Sequence, residues 1–395
     1  MTFPPVYILS AVRTPVGRFG GGLASITAVE LGTIAVRAAL ERADVGGDQV
    51  NELIFGHSRQ AGCGPNPARQ VSHAAGLPDA VPAFTVNKAC ASSTKAITLA
   101  AQAIWTEGHD FVLVGGMESM SNTPYFLHRA RWGYQLGHGQ LEDGMYSDGF
   151  MCPLCSMLMG ATAENLVERY RIDRHAQDAY AVESQARAAA AISAGRFADE
   201  IVPVTVSLRK GDRIVDTDEH PRADTTLEKL ARLKPVFKDD GTVHAGNSSG
   251  ITDGAAALVI ASERAVEQSG LTPLARLSAF TTAAVDPAYM GIGPVPALRE
   301  LYAKSGVGPD QIDLIELNEA FAAQVLSCQK ELDLDLSTVN VNGGAIALGH
   351  PIGATGARIT VTLLHELKRR GGRYGVATLC VSGGMGMALL FERAA

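Results

Sequence analysis

Apolar positions along the chain fall into two alternating rhythms. Short runs rich in β-branched and aromatic residues read as buried strands: "VYILSAV" from residue 6, "LIFGH" from 53, "AFTV" from 83 and "FVLVGG" from 111. Between them lie stretches with apolar residues three and four apart, predicting helices over 28–42, near 67–75 and over 90–105. This βαβαβαβ order predicts a mostly parallel sheet covered by helices. From about 272 the rhythm begins again: "LARLSAF", a helix near 296–304, "IDLIEL", a helix from 319, "TVNVN", a helix over 354–369, "YGVATLC" and "MGMALLFE".

The second run is a copy of the first. "VGGDQVNELI" at 45–54 pairs with "VGPDQIDLIE" at 307–316 at a constant offset of 262, and "FTVN" ending at Asn87 echoes "VNVN" ending at Asn342. Internal similarity at a fixed offset predicts a duplicated α/β fold. Between the copies, about 120–249 has another texture, with Met, Tyr, Gly and charge clusters and one amphipathic helix from "ATAENLVERY"; "AAALVIAS" then closes the first copy as a strand. The predicted division is 1–120 plus 250–268 for the first half, 121–249 for an inserted loop domain and 269–395 for the second half. Ligands of doubly wound sheets sit beyond the carboxyl ends of strands, where such an insertion supplies a lid.

Composition narrows the function. Hydrophobic residues make up 46% and charged residues 19%, ordinary globular usage, and a net charge of −7 leaves no basic footprint for nucleic acid. No apolar run reaches membrane-spanning length, and the start lacks a signal-peptide pattern, so a soluble cytoplasmic protein is expected. Six cysteines in a chain of 395 residues then read as free thiols.

Three positions at strand-to-helix or strand-to-turn joints carry candidate chemistry. Cys90 follows "AFTV" and, in the helical reading with Ile97, Ala101 and Ile104 as the buried stripe, sits in the first turn. Unpaired N–H groups and the helix dipole there favour a thiolate and lower its pKa; the plain alternative is a small buried hydrophobe. His350 lies among glycines 343, 344, 349, 353 and 356, where a base near neutrality can take a thiol's proton, or where a turn histidine simply rests. Cys380 ends the strand "GVATLC", again either chemical or core. Asn318, after "IDLIEL", can cap a helix. Weaker patterns lose their context: "GNSSG" at 246–250 lacks the strand before and helix after that a nucleophile elbow needs, and "CPLC" at 152–155 lacks a second metal-ligand pair.

Taken together, "NKACASSTKA", "GGMESMS", "NEAFA", "NGGAIALGHPIGATGAR" and "TLCVSGGMG" resemble the thiolase family across the whole chain. The resemblance implies two βαβαβαββ halves in a layered αβαβα core with an inserted loop domain. It also implies an enzyme transferring acyl groups between coenzyme A thioesters, through condensation of acetyl-CoA, thiolysis of 3-ketoacyl-CoA, or both, with no metal and no permanently bound cofactor. Carried over residue by residue, Cys90 is the nucleophile, His350 its base and Cys380 the acid/base at the α-carbon. Asn318 holds a water of one oxyanion hole, and the backbone N–H groups of Cys90 and Ser382 form the other. Arg222, Phe237 and Ser249 match CoA-lining positions, and Leu158, Met159, Met290 and Phe321 the substrate pocket. Ser382 stands where the family has glycine. Leu158 stands where acetoacetyl-CoA-specific members commonly carry histidine and so resembles members that accept longer or bulkier chains, whereas the catalytic stretches resemble the short-chain, biosynthetic type more closely, which leaves substrate length open. Residues 122–140 resemble a tetramerisation loop, implying a homotetramer built as a dimer of dimers.

Overall fold

The protein is described here by a computed structural model covering residues 3–394. Its first half runs β1 (Val6–Arg13), α1 (Ala28–Ala43), β2 (Glu52–Gly56), α2 (Pro67–Ala75), β3 (Ala83–Val86), α3 (Ser92–Glu107) and β4 (Phe111–Ser119). An insertion carrying α4 (Met159–Tyr170) and α5 (Arg174–Ser193) follows, and β5 (Thr252–Ser262) returns to the half. The second half is β6 (Ala275–Ala284), α6 (Pro294–Ser305), β7 (Leu314–Leu317), α7 (Ala322–Leu332), α8 (Thr355–Arg370), β8 (Tyr374–Val381) and β9 (Met385–Arg393).

These strands form one sheet in the order β7-β8-β9-β6-β1-β5-β4-β2-β3, with the two-residue strand Gly17–Arg18 beside β5. The expectation of a mostly parallel sheet is corrected: β1, β5, β6 and β9 pair antiparallel with their neighbours, and only β2 with β3 and β4, and β7 with β8, run parallel. Strand β9 returns beside β8 through a short turn, a connection that pairs strands antiparallel, and β5 comes back antiparallel beside β4 after the insertion. Only two residue pairs, Tyr7 with Arg276 and Ile8 with Ala275, join the halves at the β1–β6 seam.

Helices α3 and α8 lie between the halves, α1 and α2 cover the outer face of the first, and α6 and α7 that of the second. Strand β5 shows the period-two logic: Ala256, Leu258 and Ile260 face the central helices, whereas Ala255, Ala257, Val259 and Ala261 face α1. This is the expected layered αβαβα core.

The copied segments keep their local devices as well. Gly46 N–H donates to Gln49 Oε1 at 2.8 Å, and Gly308 N–H to Gln311 Oε1 at 2.9 Å. Asn51 Oδ1 then accepts from the N–H groups of Asp110 and Phe111, as Asp313 Oδ2 does from Arg373 and Tyr374, so each half starts its β4 or β8 from the same anchor.

Three further readings change. "TVNVN" is no strand; its one ladder contact is a parallel bridge of Val339 to Ile315, and the copy of β3 has shrunk to that point. The helix expected from 319 begins at Ala322. The helix expected from "ATAENLVERY" is two, because Arg171 adopts a left-handed C-cap and Asp173 caps α5 by accepting from Ala176 N–H, and the insertion adds a short third helix, Leu227–Ala231.

Candidate active site

Cys90 sits just before the N-cap Ala91 of α3 and not inside the helix, so the first-turn expectation is corrected. After β3 the chain turns tightly: Asn87 Oδ1 accepts from Ala89 N–H at 3.0 Å, Ala89 takes φ 47°, and Ser92 Oγ both accepts from Lys88 N–H and donates to Ala89 O. The turn holds the partly buried thiol against the cleft. Its pKa is raised, contrary to expectation, because burial outweighs the Ser382 N–H, the Arg59 charge and its own N–H, all of which favour the anion. The resting group is a thiol.

His350 enters through Gly349, whose φ of 100° and lack of a Cβ are both required; a Cβ there would lie 2.3 Å from Thr252 Cγ2. Its Nδ1 is 2.6 Å from Thr355 Oγ1, and Thr355 Oγ1 is 2.9 Å from Pro351 O. The carbonyl has no hydrogen to give, so the one threonine hydrogen goes to Pro351 and Nδ1–H donates to the hydroxyl. Nε2 is left with its lone pair free. Burial, then the charges of Arg358 and Arg59, push the imidazole down to about 3, well below the near-neutral value expected from sequence. His350 is therefore a neutral acceptor already in its working tautomer.

Cys380, near the end of β8, is fully buried and its thiol is pushed well up by burial and then by the neighbouring Cys90. Ser382 follows in the turn to β9, where Gly383 and Gly384 take φ 88° and 81°. Asn318 does not cap α7, whose cap is Phe321. It is fully buried, and its side-chain nitrogen and oxygen are both without a partner, a state that invites a bound water or ligand group.

A cleft of about 640 Å³ brings these groups together. Cys90, His350, Cys380 and Ser382 line it, as do Leu158, Met159, Met290 and Phe321 on its apolar wall, and Arg222, Phe237 and Ser249. Arg222 is exposed and stands at the mouth, while Phe237 meets Phe321 edge to face at 6.3 Å. Asn318 alone among the expected site residues does not line the cleft.

Several groups at the site escaped the sequence reading. Thr355 carries no reactive group of its own, although it lies inside "NGGAIALGHPIGATGAR" and its place five residues after His350 at a helix start was a usable signal. Glu118 accepts from the N–H groups of Ser58, Arg59 and Gly353 and pairs with His57 at 3.2 Å, tying the ends of β2 and β4 to the loop before α8. His220 lines the cleft with Nδ1 on Ala347 O at 2.7 Å, so its Nε2 is an acceptor. Arg59 lines it too.

Fold and cleft together define a duplicated α/β protein whose paired halves contribute one thiol and then an imidazole and a second thiol to a single cavity. Profiles described as "Thiolase, N-terminal domain" and "Thiolase, C-terminal domain" match residues 6–264 and 271–393. The acetyl-CoA acetyltransferases of Pseudomonas aeruginosa and Escherichia coli are each 52% identical, over 98% of this chain and 99% and 98% of theirs. The crystal structure of the Bacillus anthracis acetyl-CoA acetyltransferase superposes with a TM-score of 0.97 at 48% identity, covering 99% of both chains. That of human mitochondrial 3-ketoacyl-CoA thiolase in complex with CoA gives 0.96 at 44%, covering 99% of this chain and 98% of that one. The chain belongs to the thiolase family.

Proposed function

We propose that this thiolase transfers acyl groups between CoA thioesters through an acyl-Cys90 intermediate, cleaving 3-ketoacyl-CoA and, in reverse, condensing acetyl-CoA. The observation that carries the reading is the convergence of Cys90, His350, Cys380 and the Ser382 N–H in one cleft. In cleavage, His350 Nε2 takes the Cys90 proton as the sulfur attacks the 3-keto carbon. The Cα–C3 bond breaks, and Cys380 gives its proton to the departing α-carbon of acetyl-CoA. A second CoA thiol, losing its proton to the Cys380 thiolate, then attacks the acyl-Cys90 thioester, and His350 returns its proton to the released Cys90 sulfur.

Because both thiols are held above the ordinary range and His350 is neutral, the resting trio is uncharged and each proton moves with its bond. Oxyanions fall to the N–H groups of Cys90 and Ser382, and to His350 with a water on Asn318; one such donor is worth about 3 kcal/mol. The unpartnered Asn318 amide fits that role.

Arg222, Phe237 and Ser249 line the CoA side, and we assign 121–249 as the inserted unit that binds CoA and assembles the oligomer. Trp132, Leu136 and Leu141, exposed at 86%, 98% and 68% around the hairpin of Tyr125–Leu127 and Leu141–Asp143, support a homotetramer. Six free cysteines fit a reducing compartment such as the cytoplasm, and among the described residues no helix is long and apolar enough to cross a membrane. Incubation with acetyl-CoA should leave an acetyl adduct on the Cys90 peptide by mass spectrometry; an unmodified Cys90, with acetoacetyl-CoA left uncleaved, overturns the reading.

A further inference from the structure

Among the cysteines outside this chemistry, two lie against each other. Cys328 is fully buried, donates to Gly291 O at 3.5 Å and is pushed up to about 12 by burial, and Cys63 rests its sulfur on the carbonyls of Arg59 and Ala61. Cys152 and Cys155 are placed otherwise. The two-residue strands Met151–Cys152 and Met157–Leu158 pair antiparallel, with Cys152 opposite Met157, and the chain between them reverses with Ser156 in the left-handed region at φ 55°. This turn brings the Cys155 thiol up to that of Cys152. Cys152 is 1% exposed and Cys155 is half-buried, so only Cys155 meets a reagent from solution.

A chain that reverses within four residues holds positions three apart within about 7 Å. A disulfide needs Cα atoms about 4.4–6.8 Å apart, so the pair is placed to close. Among the described residues no third histidine, cysteine or carboxylate gathers here, and two thiols alone do not make a metal site. Burial first, then the hydrogen bond with Cys152 and that thiol's charge, hold Cys155 above the ordinary thiol range, against the N–H groups of Met157 and of Cys155 itself. Fewer thiolates are present at neutral pH, each a stronger nucleophile, so exchange here is slow and quickens with alkali.

The turn is built into the wall of the cleft. Met151, Pro153 and Leu158 line the cavity around the two cysteines, which themselves do not. Leu154, 70% exposed, leans toward the turn after Cys380: a Cβ at Gly383 would lie 3.7 Å from Leu154 Cδ1, and Gly383 follows Ser382, whose N–H is turned to the Cys90 sulfur. Closing the pair thus moves a segment that meets both the apolar wall and the oxyanion donor.

We propose that Cys152 and Cys155 are a redox-active pair that closes into a disulfide under oxidising load and slows acyl transfer by drawing in this wall. The oxidant is a low-molecular-weight disulfide. The Cys155 thiolate attacks one of its sulfurs, that S–S bond breaks and one small thiolate leaves; the Cys152 thiolate then attacks the Cys155 sulfur of the mixed disulfide and expels the second. Two protein thiols are oxidised, one small disulfide is reduced to two thiols, and the two protein protons end on them. The activity readout rests on the acyl-transfer reading, whereas the bond itself does not.

Trypsin leaves both cysteines, and no others, in the peptide 132–169. The reduced enzyme is incubated with oxidised glutathione at mildly alkaline pH, then denatured, alkylated with iodoacetamide and digested. The 132–169 peptide should be lighter by two hydrogens and carry no alkyl group, while the Cys90 and Cys380 peptides are alkylated in full. kcat/KM for thiolysis of acetoacetyl-CoA should fall by about 10- to 100-fold and return with dithiothreitol, and Cys155→Ser treated in the same way should keep its untreated rate. A peptide that still takes two alkyl groups overturns the inference. So does a closed bond with thiolysis unchanged, or a loss of activity that Cys155→Ser shares and that travels with a bond between Cys90 and Cys380. If the reduced enzyme cleaves no 3-ketoacyl-CoA, the acyl-transfer reading falls, and the peptide alone decides whether the pair closes.

Discussion

The joint before α3 and the joint before α8 are copies that have diverged. Both helices are 16 residues long, both end on a left-handed glycine (Gly108 and Gly371), and their starts cross, with Ser93 Oγ accepting from Ala357 N–H at 2.9 Å. In the first half a full strand, β3, leads through a tight turn to Cys90. In the second the strand has collapsed to Val339, and the chain instead runs a longer loop with a one-turn helix, Ala345–Leu348, before His350. One copy of the joint thus presents a nucleophile on a short rigid turn, and the other spends its extra residues orienting an imidazole. Duplication brings the two helix starts to one place, and divergence of the joints makes the pair chemically unlike.

That contrast can be broken in order of effect. Cys90→Ala removes the group unique to the first joint and should lower thiolysis of acetoacetyl-CoA by about 10⁵-fold or more, with no acyl adduct on the protein. Cys380→Ser should keep acetylation of Cys90 by acetyl-CoA yet reduce condensation by about 10³-fold or more; full condensation would remove Cys380 from its role. Thr355→Val leaves His350 Nδ1–H without its acceptor and frees the wrong tautomer, so kcat should fall by about 10- to 100-fold with KM little changed, and Thr355→Ser should recover most of it.

A subtler perturbation tests the crossing itself. A Cβ at Gly356 would lie 1.9 Å from Thr94 Oγ1 and 2.6 Å from Thr94 N, so Gly356→Ala should cost about 1–3 kcal/mol in thermal or denaturant unfolding. Unchanged stability would mean the two helix starts are not packed as described. The smallest effect expected is an absence: with His350 pushed down to about 3, kcat/KM should show no loss from its protonation until the pH nears that value, and an acid limb near 6.5 would contradict the buried imidazole. The same shift has a stability consequence of definite sign. The unfolded chain takes up a proton at this histidine below about pH 6.5 that the folded chain refuses until about 3, so stability falls as pH drops through that window.

Much of this was legible one residue at a time. The spacing of Ile97, Ala101 and Ile104 predicts the buried face of α3, and all three are buried; the constant offset between "VGGDQ" and "VGPDQ" predicts the duplication from the sequence alone. Sheet direction was not legible, because a strand's composition reports burial and not the direction of its neighbour. The loss of the strand in "TVNVN" was equally hidden, since apolar alternation cannot say whether an edge has a partner.

The protonation states were misread for one reason. Helix position argued for a low Cys90 pKa and ordinary histidine chemistry for a near-neutral His350, but both values are set by desolvation, which exists only once the two halves close over them. The sequence by itself determined the two copies, the residue types at each joint and the family they belong to, because these rest on local pattern and spacing. The tertiary structure decided which of them share a cavity and which imidazole nitrogen is free, because burial and tautomer depend on neighbours far away in the chain.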